Sequence, residues 1–214
     1  LPCRIAGFVG RGPEQRVIGE ALARGQVVDV HGAGGTGKTS LLSQVMHAQF
    51  AGDFAGMLYL TARHDTAGDL LQEIVEHFYE AEGRHVKVTE DEARRLMAGK
   101  QALIVLDEAH HLAEGEAEAI AQAMPQAAFV VAGREPQVRQ GRAVPLAGLP
   151  DEEALTLFER HLGRPLADER PAADALCRAL GRVPLAVVKA ARTAALRRVP
   201  LAQMLHEVQS KAPG

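Results

Sequence analysis

Gly32-Ala33-Gly34-Gly35-Thr36-Gly37-Lys38-Thr39 fits the pattern G-x-x-x-x-G-K-[ST] at every fixed position. Chemistry dictates that pattern. Anionic phosphates need several backbone N–H groups turned inward, and a side chain at those points would block the approach. Glycine permits both the tight turn and the contact. Val27-Val28-Asp29-Val30 leads into the loop as a strand, and Leu41-Leu42-Ser43-Gln44-Val45-Met46 follows it as a helix. The loop therefore opens a helix whose unpaired donors and dipole favour negative charge. Gly34, Gly35, Thr36, Gly37, Lys38, Thr39 and Ser40 are the expected phosphate-side contacts. Lys38 reaches the β- and γ-phosphates, and Thr39 offers a hydroxyl to magnesium.

A second stretch supplies the acidic side of such a site. Ala102-Leu103-Ile104-Val105-Leu106-Asp107-Glu108 is an apolar strand ending in two carboxylates. An Asp at the C-terminal end of that strand holds magnesium in phosphate-loop proteins, often through water. Ligands of parallel sheets bind at the carboxyl ends of the strands, so the placement is right. Asp107 is the expected metal-side residue, and Glu108 is placed to orient or deprotonate an attacking water. This pairing calls for one more strand between the loop strand and the acidic strand. Phe129-Val130-Val131-Ala132 fits, and it ends at Gly133-Arg134. Arg134 would then face the γ-phosphate, where a planar, permanently charged fork suits phosphate oxygens.

Outward from these motifs, the chain divides by pattern. Strands are expected at Val27–His31, Met57–Thr61, Ala102–Asp107, Phe129–Ala132 and Val144–Leu146. Helical patterns lie between most of them. Leu71, Ile74, Val75 and Phe78 fall on one helical stripe, and Thr89 with Glu92 reads as a capping box. Alternating strands and helices imply a parallel α/β sheet covered on both faces. After Leu149 only helices are expected. Leu155, Phe158 and Leu162 form one stripe, and Ala173, Leu176, Cys177 and Leu180 form another. Val183 to Leu196 and Leu201 to Val208 supply two more. The expected division is residues 1–148 for the sheet and 149–214 for a small all-α subdomain.

Composition narrows the function classes. The chain has 214 residues, a net charge of -3, no Trp and 4% aromatics, which argues against wrapping duplexes or stacking single-stranded bases. Direct nucleic-acid binding is not expected. Cys3 and Cys177 form no disulfide framework, so a cytoplasmic, reducing setting is the simple reading. Cys177 on an apolar face reads as a buried structural thiol. The longest apolar runs are far too short to span a bilayer. His110 and His111 follow the acidic pair and read as polar helix residues rather than metal ligands. The chain opens Leu-Pro and is expected to be a piece of a longer protein.

Three further stretches make the pattern specific. Phe8-Val9-Gly10-Arg11-Gly12-Pro13-Glu14 resembles the hhGRxxE segment that precedes the phosphate loop in STAND-class NTPases. Leu146 through Leu155 resembles the L-x-G-L-x-x-x-E-A-L stretch opening that family's helical subdomain. Gly181-Arg182-Val183-Pro184-Leu185-Ala186 resembles its GxP motif. In order and spacing, these stretches together with the phosphate loop, Asp107-Glu108 and Arg134 resemble the NB-ARC-type nucleotide-binding module over nearly the whole chain.

The resemblance implies a five-stranded parallel sheet of order 5-1-4-3-2 followed by the helical subdomain. It implies that adenine packs between Val9, Gly10 and Arg11 on one side and Pro184, with Leu185, on the other. It implies ATP or ADP with magnesium as cofactors, slow hydrolysis, and a signal-transduction switch. The family's winged-helix subdomain and a repeat-built sensor are expected as partners in other segments of the same protein. An ATP-driven homo-oligomer is possible within the family. Three departures stand out. Arg182 replaces a second glycine, Val-Ala-Gly precedes Arg134 where a Thr-rich segment is usual, and Glu108 replaces a second Asp. The alternative reading is an AAA+-type oligomeric remodelling motor, which would need a trans arginine finger and a sensor Arg. Arg178, Arg182 and Arg192 fall in no such motif. A small-molecule kinase is a weaker third, because no lid motif is present.

Overall fold

A computed structural model of the chain describes residues 7–49, 54, 56–63, 66–80 and 89–210. These residues form two compact units. The first contains Gly12–Gly32 and Lys38–Pro145. The second contains Gly7–Arg11, Ala33–Gly37 and the chain from Leu146 onward. The short segments 7–11 and 33–37 thus group with the helices, which no helical periodicity could signal. Cys3 lies outside the described residues.

The first unit runs α1 (Gly12–Ala23), β1 (Val28–His31), α2 (Lys38–Gln49), β2 (Met57–Thr61), α3 (Ala67–Glu80), α4 (Glu90–Met97), β3 (Leu103–Asp107), α5 (Glu116–Ala123), β4 (Ala128–Gly133) and β5 (Arg142–Pro145). All strands pair in parallel in the order β2-β3-β4-β1-β5. This is the expected 5-1-4-3-2 sheet. Each expected strand is present. The largest difference is β5, which starts two residues earlier than its apolar residues suggest. Arg142 and Ala143 are exposed yet pair with Val28 and Asp29, because edge pairing needs only backbone.

Every residue of β3 and β4 is buried, as for central strands covered on both faces. Leu70, Leu71, Ile74 and Val75 of α3 pack into the core beside Ile104, Leu106, Phe129 and Val131. Burying one such side chain stabilises by about 1.5–3 kcal/mol. Helix α4 starts at a capping box. Thr89 Oγ1 accepts the Glu92 N–H, and the Glu92 carboxylate accepts the Thr89 N–H. That cap contributes about 1 kcal/mol.

The second unit contains α6 (Asp151–Leu162), α7 (Arg170–Ala179), α8 (Pro184–Arg197) and α9 (Leu201–Gln209). Its core takes Leu155, Phe158 and Leu162 from α6, Leu176 and Cys177 from α7, and Val187 and Ala191 from α8. Burial pushes the Cys177 thiol up to about 11, so it behaves as a small apolar group. Gly181 and Arg182 between α7 and α8 both have positive φ, +62° and +55°. The Arg182 N–H bonds the Cys177 carbonyl at 2.8 Å, closing α7 in the manner that usually recruits glycine. The left-handed conformation costs a non-glycine residue about 1–2 kcal/mol. The Arg182 side chain offsets part of it by donating to Asp151 at 2.7 Å.

Candidate functional site

The parallel sheet sets the carboxyl ends of its central strands side by side. His31 is level with Gly133, and Leu106 is level with Val131. The loop Gly32–Thr39, the acids Asp107 and Glu108, and Arg134 therefore leave one edge of the sheet.

Within the first unit, Lys38 opens α2 and donates its Nζ to the Gly32 carbonyl at 2.6 Å. Its pKa is lowered, first by burial and also by the nearby Arg134 charge, while Asp107 acts the other way. Lys38 thus lies within electrostatic reach of both Asp107 and Arg134. Thr39 Oγ1 donates to Asp107 Oδ2 at 2.6 Å. Ser40 follows on the same first turn of α2, partly exposed.

Asp107 is 3% exposed, so its charge must be met by donors. It receives three. Thr39 Oγ1 and Tyr59 Oη, at 2.5 Å, share Oδ2, and the Glu108 N–H takes Oδ1 at 2.8 Å. Burial first and then the Asp107 hydrogen bond push the Tyr59 phenol well above its ordinary range, so it stays a donor. A hydroxyl and a carboxylate are hard oxygen ligands, the type magnesium takes when it keeps waters and phosphate oxygens as its remaining ligands. Thr39 and Asp107 fit that role. Among the described residues no group of three or more His, Cys, Asp and Glu could cage a metal.

Glu108 sits in the left-handed region, φ +57°. Its carboxylate accepts from Arg63 Nε at 2.5 Å, and this bond holds its pKa below the usual carboxylate range. It is an anion, able to take a proton from water once released from that partner. His110 stacks on His111, with ring centroids 4.3 Å apart. Both belong to a short 3-10 turn at Ala109–His111. Burial and the His111 and Arg134 charges depress the His110 pKa.

Within the second unit, the loop segment Ala33–Gly37 is held from two directions. The Arg11 guanidinium, 5% exposed, donates to the Thr36 carbonyl at 3.1 Å and the Ala147 carbonyl at 2.5 Å. The Leu185 N–H donates to the Gly35 carbonyl at 3.2 Å. Thr36 Oγ1 donates back to the Ala33 carbonyl at 2.8 Å. Gly35 has φ +81°, and a Cβ there would meet Leu185 Cβ at 3.0 Å. Gly37 lies near Pro184, 3.8 Å from Cγ to where its own Cβ would stand. Gly34 is exposed. Gly10, φ +74°, lies flat against Glu153, whose Oε2 would be 1.8 Å from an added Cβ and also accepts the Arg11 N–H at 3.4 Å. Val9 is half-buried against the helical core. Pro184 starts α8 at its first turn, where its missing N–H costs nothing. Leu185 is 50% exposed.

Each unit therefore gathers its own expected residues. Lys38, Thr39, Asp107, Glu108 and Arg134 belong to the first, and Val9, Gly10, Arg11, Pro184 and Leu185 to the second. Sequence reading missed Tyr59, Arg63 and Asp29, and it placed Glu153 in a motif without a role at the site. Asp29, 1% exposed on β1, accepts the Gln137 and Val138 N–H groups at 2.6 and 2.8 Å. It fixes the turn just after Arg134. A charged residue inside the strand Val27-Val28-Asp29-Val30 was the signal available for it.

The NB-ARC domain model matches residues 15–164. Among solved structures, a Walker-type ATPase of Pyrococcus abyssi is similar at TM-score 0.65 and 14% identity, over 94% of this chain and 72% of that one. Cdc6p of Pyrobaculum aerophilum is similar at 0.64 and 15%, over 100% and 73%. A replication initiator DnaA, bound to AMPPCP and single-stranded DNA, is similar at 0.59 and 16%, over 98% and 67%. At these identities the likeness speaks for the fold. No curated protein matches the sequence.

Proposed function

The chain belongs to the NB-ARC domain family, a phosphate-loop NTPase module, and from that premise we propose that it is an ATP/ADP-responsive switch of the STAND class. One observation carries the reading. The Leu185 amide of α8 bonds the Gly35 carbonyl of the phosphate loop, so the shape of the loop is felt directly by the helix of the GxP motif. A ligand that binds the loop in one shape better than another shifts that helix with it.

The division of labour follows from the residues. Backbone N–H groups of Gly34–Gly37 and the Lys38 ammonium take the phosphates. To do so, Lys38 gives up its bond to the Gly32 carbonyl. Val9 and Pro184 offer apolar surface to adenine, and the main chain of Gly10 and Arg11 reads its edge. The Arg11 side chain is already committed to the Thr36 and Ala147 carbonyls. Thr39 and Asp107 would hold magnesium, which when bound offsets the negative charge of the phosphates. Arg134 senses the γ-phosphate, and Glu108, freed from Arg63, accepts the proton of an attacking water. Hydrolysis is slow and resets the switch.

Residues 1–148 act as the nucleotide-binding subdomain and 149–214 as the helical one. The effector and sensor lie in other segments of a cytoplasmic regulator. No helix among the described residues is long and apolar enough to cross a membrane.

The test is the nucleotide released when purified protein is denatured. A switch releases ADP close to one per chain. An empty site, with steady turnover that rises with protein concentration, would instead point to an oligomeric remodelling motor.

A further inference from the structure

Strand β2 reads Met57-Leu58-Tyr59-Leu60-Thr61, and its burial alternates. Leu58 and Leu60 are buried, while Tyr59 and Thr61 share the opposite, half-open face. In the parallel register Tyr59 is level with Val105 and Thr61 with Asp107. Asp107 therefore lies two residues further along the neighbouring strand, roughly 6.6 Å at strand rise. That is a distance a tyrosine ring can cover and a Ser or Thr cannot. The Tyr59 hydroxyl ends 2.5 Å from Asp107 Oδ2.

A carboxylate oxygen has two lone pairs in the plane of its group. On Oδ2 one is taken by Tyr59 and the other by Thr39. Oδ1 is tied by the Glu108 N–H. Three donors from three directions define the carboxylate plane. Two of them, Thr39 and Glu108, belong to the motifs already read. The third comes from a strand that no motif covers. A phenylalanine here would fill the same space and leave one lone pair of a buried anion unmet.

We propose that Tyr59 is a positioning residue for the magnesium side of the site, fixing the Asp107 carboxylate so that the remaining lone pair of Oδ1 and the Thr39 hydroxyl oxygen present one preset arrangement to the metal or its water. The inference rests on the nucleotide–magnesium reading above. It makes a separate demand, because Tyr59 itself touches neither metal nor phosphate. Removal of an outer partner of a ligating carboxylate typically costs 10–100-fold in metal affinity. The loss must pass through Asp107.

The experiment is calorimetric titration of ADP into the wild type and Tyr59→Phe, each with magnesium and with EDTA. The ratio of the two affinities is the magnesium gain. Tyr59→Phe is expected to cut that gain about tenfold while leaving ADP affinity in EDTA unchanged. The EDTA arm also reports that the variant is folded. In an Asp107→Ala background, adding Tyr59→Phe is expected to cause no further loss of gain. An undiminished gain in Tyr59→Phe, an equal loss with and without magnesium, or a further loss in the Asp107→Ala background would each overturn the Tyr59 assignment alone. A wild type whose ADP affinity ignores magnesium would overturn the underlying reading as well.

Discussion

The Leu185 N–H donates to the Gly35 carbonyl at 3.2 Å, so the first turn of α8 is bonded to the phosphate loop rather than merely next to it. Pro184, one residue earlier, has no N–H to give. The first free amide of the helix is the one that reaches the loop.

Gly35→Ala tests this contact. The position has φ +81°, and the added Cβ would meet Leu185 Cβ at 3.0 Å. Left-handed strain alone costs about 1–2 kcal/mol. Nucleotide affinity is expected to fall at least about tenfold, which is 1.4 kcal/mol in binding. Calorimetry checks the affinity, and urea unfolding checks the stability.

Arg11 is a brace whose removal should be felt in stability. Its guanidinium serves the Thr36 and Ala147 carbonyls, and its own φ of +62° stores strain. Arg11→Ala is expected to destabilise by about 2–3 kcal/mol, the worth of hydrogen bonds from a buried charged group. Equilibrium urea unfolding measures it. A change below about 0.5 kcal/mol, typical of an idle surface residue, would remove the brace.

Much of this could be read beforehand. The loop, the two acids and the five strands follow from glycine spacing and from apolar runs of strand length. Residues 32–39 and 102–108 carry their chemistry in consecutive positions. Tyr59, Arg63 and Asp29 do not. Tyr59 meets Asp107 because two parallel strands pair in one register, and a single strand does not encode that register. Arg63 meets Glu108 across 45 positions, for the same reason. Arg11 was legible as part of a motif. Its role as a loop brace was not, because a buried guanidinium bonded to main chain looks like any other arginine in sequence.

Glu108→Gln keeps size and shape and loses the base. ATP binding is expected to persist within a few-fold. Hydrolysis should slow about 10²–10⁴-fold, as for loss of a general base. Phosphate release under single-turnover conditions gives the rate. Hydrolysis at the wild-type rate would exclude Glu108 from the step.

Stability should fall in acid through Glu169. Its carboxylate accepts the Leu201 N–H at 2.9 Å, starting α9, and also meets Arg164, so its pKa lies below the ordinary glutamate range. A depressed folded-state pKa means stability that is present above the unfolded value, about 4.3, and is lost as pH falls through the folded one. Asp69 and Glu92 are shifted the same way and add to the slope. The urea midpoint is expected to drop between about pH 5 and 3, and Glu169→Gln to flatten part of that drop. An unchanged slope in that variant would contradict the assignment.

The central claim is that backbone amides and one lysine grip a chain of phosphates. Calorimetric titration of ADP with magnesium into the wild type and into Lys38→Ala tests it most directly. The account predicts one site per chain in the wild type and no detectable binding in the variant. Tight binding retained by Lys38→Ala, or none by the wild type at saturating ADP, would contradict it.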